Sequence, residues 1–467
     1  MKRLITILLT LAMVFGLCAC SGSGNTDATG GTEGSMGDGL QIGYAKINVT
    51  PDYTVGISGY SNADERPNTD GFITYIYATC IAATEGDETI LLYTVDNIAM
   101  EHNNAEYFRS VITDATGIPG EKIFFGATHS HSCPEKSGQY KTDLGNWLVE
   151  GAKKALESRA PATMYAGTQV IPGMNFVRHY EMADGTYAGS NFGDFSKTII
   201  GHATENDPQM VLVKFDYADE SRKDVLMVNW QAHPDSARDI GYNSLAASWV
   251  GPLRDELEKL TGFDVAYFTG AAGNQNMDSK IASEAHGLNW RDYGVKMGQL
   301  ANEALTCLKP ATGTGIKTYR QMLTVDIDHS WDHMLAQANE VYDLWKSVGK
   351  SAGDALGKTY GFTSSYQARA IRSRAAMSAT SELEINAFSI DGIGFTTGTY
   401  EMFSDHSRYV KENSPFEVTA VITGCSGYIP TPEAYIYRSY EADTGHYASG
   451  TGEKLAEAYV QMLGQVK

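Results

Sequence analysis

The sequence predicts an α/β fold: a mixed β-sheet core flanked by helices. Three observations predict it. Apolar runs of strand length recur at residues 210–215, 225–230, 265–268, 387–395 and 418–423. Between them lie segments with apolar residues at helical spacing. Several runs are followed at once by a polar or Gly-rich loop, the place where α/β proteins carry their chemistry. Strands interleaved with helices argue for a mixed sheet rather than an all-β fold.

In chain order, residues 1–20 read as a signal sequence. Lys2 and Arg3 precede an apolar stretch over 5–15, too short to span a bilayer. Leu17-Cys18-Ala19-Cys20 resembles a bacterial lipobox, which implies cleavage before Cys20 and acylation of its sulfur. Residues 21–39 are Gly, Ser, Thr and Asp with almost no apolar side chain, and read as a flexible tether. The expected product is a lipoprotein of a bacterial cell envelope, outside the cytoplasm, held to a membrane through the lipid on Cys20.

Residues 40–467 read as one catalytic-size domain. The chain carries a formal charge of −20, and loss of Lys2 and Arg3 makes it −22. So acidic a chain is a poor partner for nucleic acid or for an anionic bilayer surface, which leaves anchoring to the lipid. Cys80, Cys133, Cys307 and Cys425 are scattered, with no CxxC pair, so neither a zinc knuckle nor a disulfide framework is indicated.

Residues 72–83 and 89–95, joined by Glu85-Gly86-Asp87, read as a hairpin. Residues 142–156 carry Leu144, Trp147, Leu148, Ala152, Ala155 and Leu156 on one helical face. Pro252 opens a helix with Leu253, Leu257 and Leu260 on one side. Residues 329–348, 365–377 and 453–466 also read as helices.

The loops carry the chemistry. The run Phe124-Phe125-Gly126-Ala127 stops at Thr128-His129-Ser130-His131-Ser132. Two-residue spacing in extended chain puts both imidazoles on one side of the backbone, and histidine is the commonest metal ligand. The other runs lead to Gln231-Ala232-His233-Pro234, Gly270-Ala271-Ala272-Gly273-Asn274, Thr399-Tyr400-Glu401 and Gly424-Cys425-Ser426-Gly427-Tyr428. If the runs share one sheet and one direction, these loops meet and offer His, Glu and Tyr to one divalent ion.

Those loops, with Ile42-Gly43-Tyr44 through Thr50-Pro51, Tyr400-Glu401-Met402-Phe403 and Tyr428 through Tyr435, resemble the neutral/alkaline ceramidase family in its N-terminal catalytic domain. The resemblance spans nearly all of residues 40–467, though the segment 329–377 carries no clear family motif. It implies a zinc site with His129, His233, Glu401 and Tyr428 as ligands. It implies that His131 sits beside the metal without binding it, facing the scissile carbonyl. It also implies that Arg178, in Asn175-Phe176-Val177-Arg178, lies near the substrate carbonyl, and that Tyr440 lines the site. Zinc accepts His nitrogen and carboxylate oxygen and keeps a position for water in catalytic sites. His131 and Arg178 can serve a developing oxyanion, or His131 can protonate a leaving amine.

The sequence departs from that family in three places. Gly273 stands where ceramidases carry a functional Ser. Cys133 stands where the family has Gly, as a packing residue or as a thiol tuning the metal. The sequence ends at Lys467, before any C-terminal immunoglobulin-like domain, which weakens the expectation of long-chain ceramide as substrate.

Other tempting residues read as bland. His329 and His333 fit a surface helix start, and His102, His179, His202, His286, His406 and His446 fit the surface or the surroundings of the site. Asp96 ends a strand, as part of a turn or of the site's surroundings. No Gly-x-Ser-x-Gly and no His-Glu-x-x-His occurs. The reading is a surface-anchored zinc hydrolase that cleaves the amide of a small or lipid-like N-acyl substrate by metal-activated water. A zinc esterase and a non-catalytic ligand-binding lipoprotein remain the alternatives.

Overall fold

The first strand, Gln41–Asn48, pairs antiparallel with Tyr77–Glu85, which turns back into Glu88–Val95. The hairpin read from the sequence is therefore present, but it starts at Tyr77. Residues Phe72 and Ile73 instead pair with Leu245 across a loop. The computed structural model describes residues 39–60, 65–278, 280–281, 287–313 and 315–467. The signal sequence, Cys18, the lipid anchor at Cys20 and the tether up to residue 38 lie outside the described residues, as does His286.

Nine strands form one mixed sheet. Its order is Asp264–Thr269, Val225–Trp230, Gln209–Tyr217, Ala160–Val170, Gln41–Asn48, Tyr77–Glu85, Glu88–Val95 and Ile123–Ala127, with Lys309–Pro310 beside Ala160–Val170. Neighbours are antiparallel except at two places. Glu88–Val95 runs parallel to Ile123–Ala127, and Val225–Trp230 parallel to Asp264–Thr269. A second sheet of four strands holds Ile316–Asp326, Thr380–Ile390, Ile393–Gly398 and Thr419–Thr423. Its last two strands are parallel.

Alternation within the strands explains how the sheets are covered. Val225 and Met227 share one apolar cluster with Phe388, Phe395 and Ile422 of the second sheet. Leu226, Val228 and Trp230 point the other way, into a cluster with Leu253, Leu257, Tyr293 and Met297 of the helices Val250–Thr261 and Trp290–Ala304. Both faces are thus covered, which is why all six residues of this strand are buried. The helices His102–Thr116 and Gly138–Glu157 cover the large sheet elsewhere, through Phe108, Ile112, Leu144 and Leu148. The helix Thr451–Gln465 covers the small sheet through Leu455, Tyr459 and Met462. The architecture is helix, sheet, sheet, helix.

Two expectations need correction. The run 387–395 is not one strand. Asp391 and Gly392, both left-handed at φ 46° and 81°, turn Thr380–Ile390 into Ile393–Gly398, the backbone that Asp-Gly hairpins adopt. The strands that lead to the chemistry-bearing loops also lie in two sheets, not one. The loops still converge, because the sheets stack with the relevant carboxyl ends together. Thr423 Oγ1 donates to Gly270 O, and Gly273 N–H to Met402 O. Among the described residues no helix is long and apolar enough to cross a membrane.

Candidate metal centre

His129 leaves the end of strand Ile123–Ala127 in a left-handed conformation, φ 66°. Such strain in a non-glycine residue costs about 1 kcal/mol or more and persists where the surroundings impose it. The turn, not an extended His-x-His, brings the two rings together at 86° to each other. His233 follows strand Val225–Trp230, and its N–H donates to Gln275 O. Glu401 and Tyr428 face each other in a two-residue parallel ladder that links the ends of the small sheet. Arg178 N–H donates to Asn274 O, which fixes it to the loop after Asp264–Thr269.

Three imidazole nitrogens meet at one point. His129 Nε2 lies 2.9 Å from His233 Nε2 and 3.3 Å from His131 Nε2. His131 Nε2 and His233 Nε2 are 3.1 Å apart. Donors bonded at ~2.05 Å around a tetrahedral ion stand about 3.3 Å apart, so the cluster has the scale of a coordination shell. Glu401 Oε2 is buried with no hydrogen-bond partner, 3.3 Å from His129 Nε2. An unsatisfied buried carboxylate oxygen is costly, and three facing ring nitrogens repel unless a cation or proton lies among them. The donor set, nitrogen with one carboxylate, is one that zinc takes.

The far nitrogens separate the three histidines. His129 Nδ1 contacts Ile98 O at 2.6 Å, and His233 Nδ1 contacts Ala272 O at 3.2 Å. A carbonyl on Nδ1 holds the proton there and turns the Nε2 lone pair toward the centre, the usual support of a metal-bound histidine. His131 differs: its ring faces the Gly59 backbone, and its Nδ1 lies 3.9 Å from Asp235 Oδ1. Its ring packs edge-on to Tyr60, with centroids 5.3 Å apart.

The charges follow the burial. Burial lowers His131 and His233 well below the usual histidine range, helped by His129 and Arg178. Against the pull of burial, Glu401 and then Cys425 raise His129 well above that range. Burial, then Glu401, keeps the Tyr428 phenol protonated.

All seven residues singled out from the sequence are brought into this region. Arg178 Nη1 lies 3.3 Å from His233 Nδ1, and its Nη2 donates to Tyr428 Oη at 3.3 Å. Tyr440 stacks edge-on against Tyr428, with ring centroids 6.1 Å apart. The sequence reading missed Glu441, which is fully buried and bound to Arg178 and His179. It also missed Cys425, whose thiol faces His129. Cys133 is a packing residue, with Sγ against Ala246 O. Asp96 pairs with Arg254 at 2.5 Å and braces the fold. His329 and His333 contact Asp332 and Ser330 O at the surface.

Gly273 is required by close approach. A Cβ there would lie 2.9 Å from both Glu401 O and Met402 O. The hydroxyl that the ceramidase resemblance would place at this position has no room.

No family model matches the chain, and no curated protein matches it in sequence. Solved structures do. A neutral ceramidase from Pseudomonas aeruginosa superposes with a TM-score of 0.66 and 16% identity, over 91% of this chain and 74% of that one. The chain has the neutral ceramidase fold. A ceramidase complexed with C2 superposes equally well, at 0.66 and 16%, over 91% of this chain and 75% of the other. At that identity the likeness concerns the fold.

Proposed function

We propose that the chain is a zinc-dependent amide hydrolase acting on an N-acyl, lipid-like substrate. The observation that carries this reading is the meeting of His129 Nε2 and His233 Nε2, 2.9 Å apart, with the buried Glu401 Oε2 3.3 Å from His129 Nε2 and His131 Nε2 bordering them. His129, His233 and Glu401 would hold the ion, with Tyr428 on the same wall. A bound zinc ion supplies Lewis acidity toward a carbonyl and toward water. His131, with the Asp235 carboxylate 3.9 Å from its Nδ1, carries a proton to the leaving amine. Arg178 donates to the oxygen on which charge develops, a contribution of roughly 3–4 kcal/mol for a well-placed donor. Tyr440 borders the substrate beside Tyr428. The Cys20 lipobox and the polar residues after it support anchoring at the outer face of a bacterial membrane.

Elemental analysis of residues 40–467, wild type beside His233→Ala and His131→Ala, tests the assignment. About one zinc per chain is expected in wild type and in His131→Ala, and none in His233→Ala. Hydrolysis of N-acyl substrates should fall at least 100-fold in both variants. Loss of zinc from His131→Ala would make His131 a ligand instead. Wild-type protein with zinc and ligand-induced thermal shifts, but no turnover, would favour the binding-protein reading.

A further inference from the structure

We infer that Glu441 is the positioning residue that sets the Arg178 guanidinium in the centre and cancels its charge beside the metal donors. The inference rests on the reading of the centre as a metal site. Glu441 is fully buried on the short helix Tyr440–Thr444. Its Oε1 accepts from Arg178 Nε at 2.8 Å and from Nη2 at 2.7 Å. Its Oε2 accepts from His179 Nε2 at 2.7 Å, and His179 Nδ1 is itself tied to Tyr437 Oη at 2.8 Å. Both carboxylate oxygens are occupied and their partners are anchored, so neither Glu441 nor Arg178 can swing away. The remaining reach of Arg178 is fixed: Nη1 toward His233 and Nη2 toward Tyr428.

A guanidinium 3.3 Å from His233 would oppose a divalent ion held by the Nε2 donors. A buried cation with no partner is costly in itself. Glu441 answers both. Burial would raise its carboxyl, but His179 and Arg178 outweigh burial and hold it at about 2, so it is ionised wherever the protein is folded near neutral pH. The Arg178–Glu441 pair thus presents hydrogen-bond donors to the centre with no net charge.

This predicts opposite signs for the two partners. Zinc affinity would be measured by competition with a chromophoric chelator for wild type, Glu441→Gln, Arg178→Met and the double variant. Glu441→Gln should weaken zinc about 10–100-fold, the range for lost supporting partners. Arg178→Met should bind zinc at least as tightly as wild type, and the double variant should return close to wild type. Turnover should be lost in all three, with the loss in kcat rather than KM. A Glu441→Gln protein with wild-type zinc affinity overturns the inference. So does equal weakening in all three variants, which is the pattern of a merely structural prop. If Glu441→Gln fails to fold, a folded, zinc-binding double variant still supports it, and an unfolded double variant overturns it. Wild-type protein that takes up no zinc removes the metal-site reading and this inference with it.

Discussion

Gly273 decides how much of a ceramidase-like site this chain can rebuild. Its missing side chain lets Gly273 N–H reach Met402 O at 3.0 Å, which holds the Glu401 segment against the loop. Gly273→Ser forces Cβ to within 2.9 Å of two backbone oxygens that cannot rotate away. The expected cost is about 1–3 kcal/mol of overpacking, together with loss of zinc, read by a thermal melt and elemental analysis. Wild-type melting with full zinc would show that the loop yields instead. His129, His233 and Glu401 stand out in the sequence because each lies in the loop after an apolar run, and the family resemblance names them as ligands. Glu441 does not. A glutamate in a short polar helix looks solvated, and its partner Arg178 lies 263 positions away.

The turn at Asp391-Gly392 shows what a single element can hide and what it costs. Sequence reading merged its two strands because both are apolar, although Asp-Gly is itself a hairpin signal. Ile316–Asp326 went unread for the opposite reason. Only part of that strand is buried, so polar residues interrupt any apolar run. The turn also carries an electrostatic burden. Burial, then the neighbouring Glu85 carboxylate, raises Asp391 from its ordinary 3.8 to about 7. A raised carboxyl means that the folded chain binds a proton the unfolded chain has released. Stability present below pH 3.8 is therefore lost as pH rises through about 7. Asparagine keeps the left-handed backbone and removes the charge. Asp391→Asn should raise Tm by roughly 1–3 °C at pH 8 and change little at pH 4. An equal gain at both pH values would assign the effect to backbone preference alone.

At the scale of the molecule, two stacked sheets replace the single sheet that the strand pattern suggested. Periodicity reports which face of a strand is apolar, not whether a helix or another sheet covers it. The sheets are joined by a ring stack: Phe124 of the large sheet lies 4.4 Å from Phe388 of the small one, and Phe388 lies 4.8 Å from Phe395. Phe388→Ala should cost about 3–5 kcal/mol, seen as a lower urea midpoint with an unchanged slope. A change in slope would mean that the sheets come apart separately. The stack also sets a schedule. His129 and His233 stand on the sheet made first, whereas Glu401 and Tyr428 extend the sheet made last. A chain folded only through the large sheet presents the imidazoles without the Glu401 carboxylate. The donor side chains thus come together only when the two sheets dock, so the assembled centre reports that both halves of the fold have found each other.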